Sequence, residues 1–395
     1  MSSSLSRRQL LNRTAGVAIS AAAAASIPTV AHADTASATP ANNATVPIGT
    51  ALIAVSDASY GWPGLSGVAN HDASTSLQGI AFDSSAQHLY TLQVAGASQV
   101  AYLQSSGQIA VTAAISGDQH SVAGDLVLSQ HDLVTGAVTG SMYLLGFGHG
   151  VSLGVEPASD DNPPYVWTEA NSGPSGFGSE VVRFPFVNAT VLWTSAPSVQ
   201  RLPSPDPNAT AIIPSVDVTN NLLVLRYALP GSGQWFGAYD LTEARAAAID
   251  TAAAAAAQRT ALPLPAPLAT IQQPALWVSD ANGADTTTPA TFQGFTSFGQ
   301  YVYMLDGAPR PTGDTGPATG AEAWAIHTTS MDLNGTQNGS QGYIDRTHSA
   351  ADISALPREP EGMAVYTGSG TPRLAFAITN NSSDGTRRFD LYYKS

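Results

Sequence analysis

The chain has no cysteine and a single lysine, and only 11% of its 395 residues are charged. Without cysteine an exported chain has no disulfide to hold it, and thiolate zinc sites are excluded. The lone Lys394 sits next to the C-terminus, which excludes a phosphate-binding loop of the G-x-x-x-x-G-K-[ST] type. Clustered Lys and Arg, which hold nucleic-acid phosphates and anionic membranes, are missing as well. No apolar run reaches the roughly 20 residues that cross a bilayer. The histidines are scattered, with no zinc or EF-hand spacing.

The first residues carry Ser6-Arg7-Arg8-Gln9-Leu10-Leu11, an Ala/Gly/Ser-rich run from Thr14 to Ser26, and Ala31-His32-Ala33 before Asp34. A twin-arginine pair, a short weakly apolar stretch and an A-x-A site predict a signal peptide for twin-arginine export over residues 1–33, with a secreted or periplasmic destination. Those residues hold Arg7, Arg8 and Arg13 and no acid, so the remaining chain has 12 basic against 29 acidic residues, a net charge of −17. Such a surface excludes nucleic acid as a partner, and no membrane insertion is expected once the signal is removed. Residues 34–49 are Ala, Thr, Asn and Pro without periodicity and are expected to be a disordered leader. Residues 50–395 are expected to form one domain, since closed all-β folds exceed the usual domain length.

Within that domain one phrase recurs: a polar residue, a glycine, a few apolar residues, a turn, then an alternating run. It appears at Gln78-Gly79-Ile80-Ala81-Phe82-Asp83, His149-Gly150-Val151-Ser152-Leu153, Ile213-Pro214-Ser215-Val216-Asp217, Gln293-Gly294-Phe295-Thr296 and Glu361-Gly362-Met363-Ala364-Val365. The steps between anchors 79, 150, 214, 294 and 362 are 71, 64, 80 and 68 residues, enough for a four-stranded unit with loops. Repeated hairpins cannot bury their apolar faces alone, and a ring hides their edges. The expectation is therefore an all-β, five-bladed β-propeller whose inner strands line an axis. Gln78, His149, Gln293 and Glu361 would then converge at one mouth of the channel, while the third copy, with Ile213-Pro214, contributes structure. Ala51-Leu52-Ile53-Ala54-Val55 is the candidate for an outer strand that latches the last blade.

Two segments interrupt the pattern. Thr242 to Ala261 opens on Thr-Glu, continues in alanines and stops at Pro263 and Pro265, which predicts a helical insertion on the flank of the propeller. Asp306 to Gly320 is rich in Gly, Pro and Thr, and fits either a substrate lid or a surface loop.

Chemistry concentrates at the anchors. His149 lies among four glycines in Gly146-Phe147-Gly148-His149-Gly150-Val151-Ser152-Leu153-Gly154-Val155-Glu156, where it can act as acid, base or hydrogen-bond donor or else satisfy backbone groups. Arg358-Glu359-Pro360-Glu361-Gly362 is the densest charged cluster. Glu361 as acid or base, His149 assisting, and Asp83, Glu359 or Glu156 as partner would suit glycoside cleavage, which needs a carboxyl pair at a defined separation. Arg358 can instead grip a ligand anion or close the ring through a salt bridge. Acidic oxygens pointing into such a channel also suit one Ca²⁺, although no cofactor motif is present. Trp62, in Tyr60-Gly61-Trp62-Pro63-Gly64, is the best candidate for stacking on a sugar ring.

These same phrases, with Gly124-Asp125-Leu126, Val166-Trp167-Thr168-Glu169, Gly299-Gln300-Tyr301-Val302-Tyr303 and the ending Leu391-Tyr392-Tyr393-Lys394, resemble a known family. It comprises the secreted and phage-borne β-propeller domains grouped with teichoic acid biosynthesis protein C and the receptor-binding protein of a staphylococcal podovirus. The resemblance implies a five-bladed propeller that recognises a cell-surface polymer such as wall teichoic acid. The alanine-rich insertion and the loop after Asp306 depart from the family. A net charge of −17 opposes a polyanionic ligand unless Arg358 and a bound cation offset it locally. The expected function is thus recognition of an extracellular glycan or cell-wall polymer through Gln78, His149, Gln293, Arg358, Glu361 and Trp62. Cleavage of such a glycan by a hydrolase or lyase is the alternative.

Overall fold

A computed structural model describes residue 53 and residues 60–70, 74–96, 117–159, 162–250, 257, 262–273, 277–279, 285–289, 291–306, 327–332, 337–343, 359–381 and 384–394. The expected signal peptide and leader, most of the loop after Asp306, Arg358, and residues 51, 52, 54 and 55 of the expected latch lie outside these.

The described chain is all-β and β-propeller-like. Five sheets of four or five strands follow one another along the sequence, beside a separate pair, Trp277–Ser279 with Asp285–Pro289. Each large sheet starts with one anchor phrase, within strands Leu77–Asp83, Thr210–Asp217, Phe292–Phe298 and Glu359–Tyr366 and, in the second sheet, in the segment that leads directly into the inner strand Gly154–Glu156. From there the strands run outward by antiparallel pairing, as in Leu77–Asp83 to His88–Val94 to Leu126–Asp132 to Val138–Leu145. Short outer strands add to the edges. Thr190–Trp193 pairs in parallel with Val138–Leu145, and Gln200–Leu202 pairs with Gly178–Pro185.

Period-two alternation sends neighbouring side chains of one inner strand into different cores. In Leu77–Asp83, Ile80 and Phe82 pack with Ala364, Tyr366 and Leu391 of the fifth sheet. Ala81 packs with Leu153, Val155 and Val166 of the second. The same strand thus glues two neighbours, and the inner strands of successive sheets, including the fifth and the first, lie in contact.

The N-terminal part of the described chain closes on the last strand. Tyr60–Gly61 and Val68–Ala69 pair with Arg387–Lys394, so the latch lies downstream of Ala51–Val55, whose one described residue, Ile53, donates its N–H to Tyr303 Oη at 3.0 Å. Asp390 fastens it, accepting from Ser66 Oγ at 2.8 Å, Gly67 N at 2.6 Å and Asn380 Nδ2 at 2.7 Å.

The helical insertion is minor. A helix spans Leu241–Ala247, and its cap is Asp240, whose side chain accepts from Glu243 N. Leu241, Ala244 and Ala247 are buried against Leu223, Leu225 and Tyr239, so it belongs to a core rather than riding on the flank. Ile249–Asp250 already pairs as a strand with Gln200–Leu202.

Candidate functional site

The anchor phrase works as a bulge. In the first sheet Leu77 pairs with Gln93 and Gly79 with Leu92, which leaves Gln78 as the extra residue. In the fourth, Phe292 pairs with Asp306 and Gly294 with Leu305, leaving Gln293. In the fifth, Glu361 pairs with Ala377 and Met363 with Phe376, leaving Gly362. A bulge re-aims the side chain beside it, and here it turns polar groups out of the alternation that fills the apolar cores.

The glycines let the inner strands touch. A Cβ on Gly79 would stand 2.4 Å from Gly150 O, and one on Gly362 would stand 2.7 Å from Gly79 Cα. A Cβ on Gly294, at φ +150°, would lie 3.1 Å from Val151 O and 3.3 Å from Gly362 Cα. Three of the five inner strands, and the segment leading into the strand Gly154–Glu156, therefore meet backbone to backbone at this level and form a plug near the axis. Pro214, in the third copy, needs no N–H because an inner strand is an edge; its carbonyl accepts from Ser152 Oγ at 2.8 Å.

On the Gln78 side of the plug, side chains from three sheets come together. Gln78 Nε2 donates to Glu361 Oε1 at 3.4 Å and to Leu77 O at 2.8 Å, and Gln293 Nε2 donates to Glu359 Oε1 at 3.1 Å. Gln293 is fully buried, Glu361 is 1% exposed, and Gln78 and Glu359 are 6% and 8% exposed. Among the described residues Gln78 Oε1 is buried with no hydrogen-bond partner. A charge close to Glu359 and Glu361 is that of Arg387, on the third strand of the same sheet. Burial lowers the pKa of its guanidinium, and the two carboxylates push it back up. Arg387 is half-buried, so solvent reaches this part of the cluster.

The remaining candidates separate. The backbone N–H groups of His149 and Gly150 both donate to Glu169 Oε1, at 3.0 and 2.7 Å, and Gly178 N donates to Glu169 Oε2 at 2.5 Å. Glu169 is fully buried, and a Cβ on Gly148 would stand 2.4 Å from its Cγ. The glycines around His149 thus make room for a carboxylate that ties two loops, while the His149 ring lies 5.0 Å from Phe177.

Asp83 closes the other end of its strand, roughly 16 Å from Gln78 at about 3.3 Å per residue. There its Oδ1 accepts from Ser85 N, Ser85 Oγ and Ala86 N, so it cannot partner Glu361. Glu156 is committed too, accepting from Trp167 Nε1 at 2.5 Å and Arg183 Nε at 2.9 Å, with Arg245 Nε 2.9 Å away as an ion-pair partner. Burial pushes its carboxyl up, but Arg183, Trp167 and Arg245 outweigh that and hold it below the usual range.

Trp62 is not a sugar platform. It is 7% exposed, stacked on Phe82 at 5.4 Å with Tyr366 and Tyr393 against its edges, where it wedges the first sheet to the fifth. Arg358 lies outside the described residues. Among the described residues no group of three or more His, Asp or Glu comes together as a metal site, and no helix is long and apolar enough to cross a membrane.

Arg387 and Glu169 escaped sequence reasoning. For Arg387 a signal existed: Arg387-Arg388 is the one adjacent basic pair after residue 33. For Glu169 no local pattern distinguishes a keystone from an exposed acid.

No family model matches the chain, and no curated protein matches it either. Among solved structures it is similar to the tail fiber of Staphylococcus aureus phage P68, with a TM-score of 0.54 and 16% identity over 85% of this chain and 52% of that one. The chain thus spans about half the length of that tail fiber. Weaker likenesses include a mutant α-L-arabinanase of Cellvibrio cellulosa, with a TM-score of 0.37 and 9% identity over 80% of this chain and 90% of that one. A β-xylosidase/α-arabinofuranosidase from a compost microbial metagenome reaches 0.34 and 12% over 84% and 98%. Scores of that size carry no argument, and at 16% identity the tail fiber bears on fold alone: a β-propeller architecture shared over most of this chain.

Proposed function

We propose that the chain is an exported five-bladed propeller that recognises an extracellular glycan or cell-wall polymer at the end of the axis where Gln78, Gln293, Glu359, Glu361 and Arg387 meet. Five blades are supported by the five large sheets, by the inner strands in contact from each to the next, and by the N-terminal segment paired onto the last strand. Export by the twin-arginine route is supported by the N-terminal sequence alone. The observation that carries the function is the Gln78 to Glu361 contact, which joins residues 283 apart. Amides and carboxylates gathered from separate sheets offer fixed donors and acceptors of the kind that read hydroxyl groups. Among the described residues two carboxylates face one guanidinium, a negative balance that favours a neutral polysaccharide over a teichoic-acid polyanion.

Cleavage is the second reading, and one observation favours it. Glu359 and Glu361 are two apart on one strand and therefore on one face, roughly 6.6 Å of rise apart, within the range of carboxyl pairs that act across a glycosidic bond. The test applies the purified protein and its Glu361→Gln variant to a panel of neutral glycans and teichoic acids, following both retention and new reducing or unsaturated ends. Retention of a neutral glycan that the variant loses, without new ends, is the expected result. New ends that vanish in the variant replace recognition by cleavage, and no retention of any polymer sinks both.

A further inference from the structure

At the far end of the axis, beyond the glycine plug, a cavity of about 160 Å³ is lined by residues of all five inner strands and the turns that follow them. At about 10–15 Å³ per water it holds on the order of ten waters, space for one small ring or polyol and not for a polymer. It opens to solvent past Ser85, Val218 and Thr219, which are exposed.

Its polar lining is made of hydroxyls. Ser215 Oγ lies 3.1 Å from Ser297 Oγ and 3.5 Å from Thr296 Oγ1, and accepts from Ser297 N at 2.9 Å. Ser84 Oγ accepts from Thr367 N at 3.1 Å, which leaves its own proton for another partner. The one carboxylate in the lining, Asp217, is occupied: Oδ1 accepts from Asn220 N, and Oδ2 from Asn220 Nδ2 and Gly299 N. It ties the third sheet to the fourth across the rim, and burial raises its pKa. Among the described residues no basic side chain lines the cavity, so none of them compensates an anion there. Ala81, Val216, Ala364 and Val365 supply apolar patches between the hydroxyls. Hydroxyls alternating with small apolar surface match a ring whose edges are hydroxyls and whose faces are C–H.

The geometry points to a second binding site here, for a single neutral sugar or small polyol, separate from the polymer site proposed at the opposite mouth. The close approach of Gly79 to Gly150 and of Gly362 to Gly79 lies between the two.

The test is titration calorimetry with ligand-detected NMR on the full protein, using glucose, galactose, N-acetylglucosamine and glycerol as probes, with calcium chloride and inorganic phosphate alongside. Val365→Phe fills the cavity, and Thr219→Trp obstructs its mouth from an exposed position, so one variant serves if the other fails to fold. The expected result is saturable binding of at least one neutral probe, weakened tenfold or more by either variant and unchanged in Glu361→Gln. Three outcomes overturn the inference: binding of calcium or phosphate only, no neutral probe bound, or binding lost in Glu361→Gln while both cavity variants retain it. The last would place the ligand at the first mouth without harming the polymer reading.

Discussion

Replacing Asp390 by alanine should open the molecule at one seam. Its carboxylate, 1% exposed, holds Ser66 Oγ, Gly67 N and Asn380 Nδ2 within 2.8 Å; the first two are side-chain ties from the N-terminal segment to the final sheet, and the third fixes the carboxylate within that sheet. Ser66 is exposed and can turn to water, whereas the Gly67 N–H is half-buried and Asn380 is buried. Two contacts to a charged acceptor therefore count, each worth about 1.5–3 kcal/mol, so the variant should lose about 3–6 kcal/mol out of a total near 5–15. Hydrogen exchange gives the location as well as the size. The amides of Trp62 and Leu391, which donate to Leu391 O and Leu65 O, should exchange about a hundredfold faster, while those of Leu223 and Val224 in the third sheet keep their protection. Since Gln78 meets Glu361 only while the first and fifth sheets are held together, glycan retention should fall in parallel. Unchanged protection at Trp62, or an equal loss in every sheet, would refute the idea that this carboxylate is a local latch.

Three other perturbations test the scaffold. Glu169→Gln keeps an acceptor for His149 and Gly150 but turns an amide N–H₂ toward the Gly178 N–H; a loss of about 2–3 kcal/mol in denaturant unfolding is expected, and a neutral result would remove Glu169 as the keystone. Gly79→Ala drives a methyl to 2.4 Å from Gly150 O, whereas Gly61→Ala meets nothing within 4 Å, so thermal unfolding should show the first severely destabilised and the second within about 0.5 kcal/mol of the parent. The Glu156 carboxyl, folded, titrates below its ordinary 4.5. Its contribution to stability is therefore complete above pH 4.5 and lost as pH falls through the folded value; melting curves on the acid side should flatten in Glu156→Gln, and an unaltered pH profile would contradict the assignment.

The repeat and its spacing were legible because four of the five anchor phrases combine three signals that a single strand rarely carries together: a polar residue, a glycine and an alternating run. Each answers to a physical need at the axis, namely a bulge, a close backbone approach and a two-sided core. The latch was legible as an idea and misplaced by several residues, since Ala51–Val55 is the stronger β-former while Tyr60–Gly61 and Val68–Ala69 are only two-residue pairings fixed by Asp390 from the far end of the chain. The alanine run misled in the opposite direction. Propensity extends the helix through Ala261, but the packing of Leu241, Ala244 and Ala247 supports two turns before Ile249–Asp250 joins a sheet; residues 251–256 and 258–261 of the run lie outside the described residues.

For the site, the same phrase misleads when its residues are treated as one constellation. Gln78 and Asp83 belong to one strand and therefore to opposite ends of the axis, a consequence of the rise per residue that needs no structure to derive. The charged cluster at Glu359 and Glu361 invites its sequence neighbour Arg358, which lies outside the described residues, and pairing of the strands adds Arg387 from across the sheet, because Asn381, opposite Arg387, closes the same end of the sheet as Glu359. Sequence proximity and sheet proximity run along perpendicular directions in a β-sheet: neighbours in the chain alternate faces, while partners across strands share one. In a chain with so few basic residues, the sounder search for a counter-ion starts from the acidic positions and moves across the sheet, and that search leads to the Arg387-Arg388 pair.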